Sequence, residues 1–283
     1  SCRAVELPFR PVQAQGGVEG ALDVSRQTRR DAPQRAGQVD AGPAVLTQEE
    51  ALPILEGAEI VGGQRIPWSS NGTFLVHLDA GTGTYLRAVY KPRDGERPLD
   101  DFPLGTLYKR EYAAYLVARS LGWPQIPRTL IRDGPYGVGS MQLFIESDPN
   151  ITYFDLVADN TEELLRFAVF DVLSNNADRK AGHCLLGSDG KIWSVDHGLT
   201  FHPFFKQRTV MLEFWGEQVP PPLLDDMSLL AKVLESKTGV AAELAEMLND
   251  REMDALRRRI EVLLSEPVLP TLDPRRNVPW PLV

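Results

Sequence analysis

The chain has 283 residues, 43% of them hydrophobic, with a formal net charge of −9. That is enough for one large two-lobed domain, and the acidic balance argues against a general nucleic-acid binder, which needs a basic face for phosphates. Two distant cysteines, Cys2 and Cys184, give no disulfide framework and fit a cytoplasmic setting, and no apolar run nears the ~18 residues of a transmembrane segment.

Residues 1–45 are rich in Gly, Ala, Gln, Arg and Asp. They read as a flexible tail, because so little apolar surface cannot offset the entropy of ordering. Thr47 followed by Glu50 is a capping box that opens a short helix. Strand patterns follow at 58–62, 72–79 and 84–91; in the second, Phe74, Val76 and Leu78 alternate with Leu75 and His77. Glycines 81 and 83 suggest a hairpin turn between the last two. Residues 110–121 form a helical pattern ended by Gly122, and 130–131 and 139–145 read as two further strands. Beyond Asp148 the pattern becomes helical at 161–173, 223–236 and 241–264. One hairpin interrupts it, with strands at 184–186 and 192–195 around the turn at 187–190. The end, from Pro267, is Pro-rich and extended.

The residues that carry chemistry cluster around that hairpin. Asn175-Asn176-Ala177-Asp178-Arg179-Lys180-Ala181-Gly182-His183 is a polar loop before the first strand, and Asp196-His197-Gly198 follows the second. Phosphoryl transfer needs one carboxylate near the attacking oxygen and another to hold the metal that neutralises phosphate charge. A polar loop and a strand end can present Asp178 and Asp196 for those tasks, with Gly198 easing a sharp turn. In the first half, Val89-Tyr90-Lys91-Pro92 puts Lys91 at a strand end, within reach of ATP phosphates, and Glu111 on the next helix is its natural ion-pair partner. Singly, each feature has an ordinary explanation: a turn, a solvated lysine, a surface helix charge. Their order and spacing together are hard to reach by chance.

With Lys91, Glu111, Asp178 and Asp196 in this order, the chain resembles the atypical branches of the protein-kinase-like superfamily over residues 50–265. The likeness is to type II phosphatidylinositol 4-kinases, HipA-like kinases and an uncharacterised bacterial phosphatidylinositol-kinase-like group. It implies an α+β, bilobal kinase-like fold, with a small β-rich lobe over 46–147 and a larger helical lobe over 148–283. Asp178 is then the catalytic Asp and Asp196 the metal-binding Asp. His183 stands where the family usually has a metal-binding Asn: either it ligates a metal, which implies a preference for Mn²⁺ over Mg²⁺ since imidazole suits softer metals, or it contacts a phosphate, or the second metal site is weak. The loop Ser69-Ser70-Asn71-Gly72 would cover the nucleotide, and Gln142, Leu143 and Phe144 would lie at the hinge against adenine. The implied ligands are ATP and Mg²⁺ or Mn²⁺, with an unidentified hydroxyl acceptor that is a lipid, a protein or a small molecule. Two other readings stay open: AMP transfer on the same scaffold, and a nucleotide-binding pseudokinase acting through a partner, which His183 favours.

The remaining features read as structural. His183, Cys184, His197 and His202 match no standard zinc spacing. Adjacent residues on a strand face opposite ways, so Cys184 belongs to the core. Trp215 reads as a packed residue and Arg257-Arg258-Arg259 as a solvated helix face.

Overall fold

The computed structural model describes residues 46–67, 69–81 and 84–283; the tail over 1–45 and Gly83 lie outside the described residues. Thr47 opens helix α1 (Gln48–Gly57) with the expected box: its side chain accepts from Glu50 N–H, and Glu50 accepts from Thr47 N–H at 2.8 Å. Strands β1 (Ile60–Arg65), β2 (Phe74–Asp79) and β3 (Tyr85–Pro92) follow, then helix α2 (Leu107–Leu121) and strands β4 (Thr129–Gly134) and β5 (Gly137–Leu143). The five strands form one antiparallel sheet in the order β1-β2-β3-β5-β4. Its alternating residues Phe74, Val76, Leu78, Ala88 and Tyr90 are buried, and Ala51 and Leu55 of α1 pack against them.

The second half holds α3 (Tyr153–Leu156), α4 (Thr161–Ser174), the hairpin β6 (Cys184–Leu186) and β7 (Ile192–Ser194), then α5 (Pro221–Glu235), α6 (Val240–Met247) and α7 (Asp250–Ser265). Leu164, Phe167, Phe170 and Leu173 of α4 pack with Leu230, Leu234, Leu256 and Ile260 in one large core. Leu116, Val117 and Leu121 of α2 belong to that core too, so this helix is built into the helical layer while flanking the sheet. The architecture is of the expected α+β class, an antiparallel sheet beside a helical layer. From Pro267 the chain runs back over the helical layer, and Ala181 N–H donates to Leu282 O at 2.8 Å.

Several local expectations change. The single helix predicted over 241–264 is two helices, because Asn249 starts a new one. Its side chain accepts from Glu252 N–H at 3.1 Å, and Glu252 accepts from Asn249 N–H at 3.0 Å. The first strand begins at Ile60, not at residue 58, and the fifth ends at Leu143, not at residue 145. Arg259 is not solvated: its Nε donates to Leu173 O at 2.7 Å, and burial pushes its guanidinium down to about 10. No helix among the described residues is long and apolar enough to cross a membrane.

Candidate functional site

Strand β3 carries Lys91 to the edge between sheet and helices. Its ammonium is bonded to Glu111 Oε1 and lies 2.8 Å from Asp196 Oδ1. Glu111, from the first turns of α2, is buried, and its other oxygen accepts from His197 N–H at 3.0 Å. The ordinary reading of Glu111 as a surface charge therefore fails. Burial works against a charged Lys91, but Asp196 and Glu111 outweigh it and raise the ammonium well above its usual range. Burial likewise raises Glu111, with Lys91 pulling the other way. At Asp196 burial is outweighed by Lys91 and His183, so its carboxyl is held far below the normal range and stays ionised.

Asp196 follows β7 with φ of 61°, a left-handed conformation that a short polar side chain tolerates. Asp196, not Gly198, thus makes the sharp turn. Gly198 serves a different need: a Cβ there would stand 3.3 Å from Glu111 Oε1. His183 Nε2 faces Asp196 Oδ2 at 3.4 Å, and burial pushes the imidazole down to about 4, so it is neutral at pH 7. A carboxylate beside a neutral imidazole is an oxygen–nitrogen pair that fits Mn²⁺, and Mg²⁺ less well. Among the described residues no three His, Cys, Asp or Glu side chains converge as a metal-holding group. An ion here would therefore draw its other ligands from phosphate and water.

Asp178 lies on the loop after α4. Its N–H donates to Asn176 Oδ1 at 3.0 Å, and its carboxylate stands 3.7 Å from Lys180 Nζ. Burial, reinforced by Asp196 and opposed by Lys180 and Arg208, pushes its carboxyl up to about 6. A carboxylate poised there can accept a proton near neutral pH.

Sequence reasoning assigned no role to the residue that ties the two loops together. Arg179 is wholly buried and donates to both oxygens of Asp171, at 2.8 and 2.9 Å. It also donates to His183 O at 3.2 Å, to Val195 O at 3.3 Å and to Ser194 Oγ at 2.8 Å, and it lies 3.1 Å from His197 Nε2. One guanidinium thereby fixes the loop of Asp178, the position of His183 and the approach to Asp196. Asn176 joins the network through Asp171 Oδ1 at 2.9 Å. Burial, then Arg179, keep His197 neutral. The available signal was Asp171 itself, a charged residue on the apolar face of α4 between Phe170 and Leu173.

The other predicted nucleotide contacts are placed less directly. Ser69 Oγ donates to Thr73 Oγ1 at 2.8 Å, and Ser70 is exposed. Asn71 Oδ1 accepts from Arg97 N–H at 2.9 Å, and Gly72 N–H donates to Gly95 O at 2.7 Å. Asn71 and Gly72 thus brace the loop against residues 95–97. Gln142 is buried in the sheet, with its amide on Thr129 Oγ1 at 2.8 Å. Leu143 N–H donates to Arg128 O and Phe144 N–H to Arg87 O, at 2.8 and 3.1 Å, so neither is left for a base. Cys184 is core, its thiol pushed up to about 12 by burial. His202 bonds the backbone of Phe204, away from His183. Half-buried Trp215 packs near Phe214 and Leu269.

No known protein-family model matches the chain. Protein Rv2133c of Mycobacterium tuberculosis (strain ATCC 25618 / H37Rv) is 38% identical over 276 residues, spanning 85% of this chain and 98% of that protein. Phosphatidylinositol 4-kinase gamma 4 of Oryza sativa subsp. japonica is 27% identical over 222 residues, 65% of this chain and 39% of that protein. The chain therefore spans well under half of that plant relative. Among solved structures, the Golgi casein kinase with Mn/ADP bound superposes with a TM-score of 0.47 at 16% identity, covering 77% of this chain and 74% of that one.

Proposed function

We propose, for a chain that belongs to one family with protein Rv2133c and to the atypical protein-kinase-like superfamily, that it binds ATP with Mn²⁺ or Mg²⁺ between sheet and helices and transfers the γ-phosphoryl group to a hydroxyl. The observation that carries this is the Lys91 ammonium seated between Glu111 and Asp196, with Asp178 on the neighbouring loop. We read residues 46–147 and 148–283 as the two lobes, sharing α2.

Lys91 would bind the phosphates, held in place by Glu111. Asp196, with His183, would hold a divalent ion, which supplies charge neutralisation on the transferred group. Asp178 would orient the acceptor hydroxyl and take its proton. As the new P–O bond forms, the bond to the ADP oxygen breaks, and the proton rests on the Asp178 carboxylate. Ser69 and Ser70 would close over the phosphates. With the N–H groups of Leu143 and Phe144 already committed, adenine would be read at Ile145, the next residue along. The acceptor is a lipid, a protein or a small molecule.

The test is transfer from ATP labelled at the γ or the α phosphate, with Mn²⁺ or Mg²⁺, to lipid, protein and metabolite pools. The expected result is γ-label transfer, faster with Mn²⁺ and reduced at least ~100-fold in Asp178→Ala and Asp196→Ala. His183→Asn should erase the Mn²⁺ preference. Transfer of α label would instead make this an AMP transferase. ATP binding without transfer, unchanged in Asp178→Ala, would make it a nucleotide-binding pseudokinase.

A further inference from the structure

A cavity of about 230 Å³ lies among α1, α2, the segment 122–128 and β7, and it shares no lining residue with the Lys91–Asp196 cluster. Gln48, Tyr115, Arg119, Gln125, Arg128 and Trp193 supply its polar and aromatic wall. At ~30 Å³ for each water, it has room for a molecule the size of a substituted benzene ring.

Its charge is unusual for this protein. The guanidinium carbons of Arg119 and Arg128 each lie 5.6 Å from the centre of the Tyr115 ring. Arg128 Nη1 donates to Tyr115 Oη at 2.6 Å, yet its Nε is buried with no partner. That Nε is closed off from the cavity, so the remaining Nη protons of the guanidinium are the donors an oxyanion there would meet. The acidic neighbours compensate weakly. Glu49 is 3.8 Å from Arg128 and 82% exposed, and Glu243 stands 3.7 Å from Arg119 at the surface. Two arginines therefore face one cavity in a chain whose net charge is −9. The rest of the wall is the exposed Glu49 with Gly122, Ala118, Pro124, Ile126 and the Trp193 ring, whose N–H is already given to Asp189 at 3.2 Å.

We propose that this cavity binds a small organic oxyanion, with its carboxylate or phosphate on Arg128 and Arg119 and its apolar or aromatic body against Tyr115, Ile126 and Trp193. A charged end and a flat apolar wall are the two elements from which small-molecule sites are built. The occupant would rest on α2 one turn beyond Glu111 and on the strand leading to Asp196, where Ser194 N–H donates to Gln125 O at 2.7 Å.

Calorimetric titration of the full chain with benzoate and with phenyl phosphate tests this, with neutral benzamide as the comparison. One saturable site with a Kd below ~1 mM is expected for either anion. Binding should weaken at least ~10-fold for benzamide, for Arg119→Gln and for Arg128→Lys, which keeps the charge and loses the fork. Lys91→Ala should bind normally, which separates this cavity from the Lys91 site. Arg119 is part-exposed, so its variant should fold, and circular dichroism checks this. Absence of saturable heat, as when another part of the chain fills the cavity, overturns the proposal. So does equal binding of benzamide, or loss of binding in Lys91→Ala alone.

Discussion

Asp178 works against the stability of its own fold. Its carboxyl is raised to about 6, chiefly by burial, against about 3.9 in an unfolded chain. Between those values the folded protein binds the extra proton, so stability falls as pH rises through this window and the whole penalty is present above pH 6. With the side chain 29% exposed, the penalty is discounted to about 1–2 kcal/mol. Asp178→Asn should therefore melt higher than the parent at pH 7.5 and show little difference at pH 4, while losing phosphoryl transfer; thermal melts at both pH values check this. The same titration gives transfer an acidic limb near pH 6. That Lys91, Glu111 and Asp196 would meet was legible in the sequence from their order and spacing. Arg179 was not, because its meaning depends on partners from α4, the loop before β6 and the segment after β7, which only the folded chain brings together.

At the scale of elements, periodicity and capping exposed most of the strands and helices, and the antiparallel hairpins followed from their turns. What escaped was short or punctuated: α3 has a single turn, and the break between α6 and α7 rests on the Asn249–Glu252 box inside an otherwise continuous apolar pattern. The candidate phosphate loop escaped in another way. Gly72 and Gly95 look like turn residues, but their role is contact. A Cβ on Gly95 would lie 2.8 Å from Gly72 O, and one on Gly72 would lie 2.9 Å from the Cα of Gly95. Gly95→Ala should force the two segments apart, costing about 1–3 kcal/mol and weakening nucleotide binding. Gly57→Ala, with open space around it, should stay within about 0.5 kcal/mol of the parent. Melting curves and nucleotide titrations of both variants make the comparison.

On the scale of the whole molecule, α2 is the hinge of the design. Neighbouring residues on it point their charges in different directions: Glu111 toward Lys91 of the sheet, Arg110 toward Glu252 of α7 and to Thr200 O at 2.6 Å. Arg110 and Glu252 are both buried, so removing one leaves an uncompensated charge. Arg110→Met should cost about 3–5 kcal/mol, and the double variant Arg110→Met/Glu252→Met should recover most of it; denaturant unfolding of the three proteins measures this. The tie makes α2 a fixed part of the helical body, and the sheet joins it through the packing of α2 on β4 and β5 and through Lys91. That lysine acts as a resident counterion. Under the proposed function, a divalent cation held by Asp196 and His183 would meet Oδ2 while Lys91 rests on Oδ1, and its charge would loosen the hold of Asp196 on the ammonium, freeing it for a nucleotide's phosphates. Cation and nucleotide would then bind with positive coupling, each favouring the other.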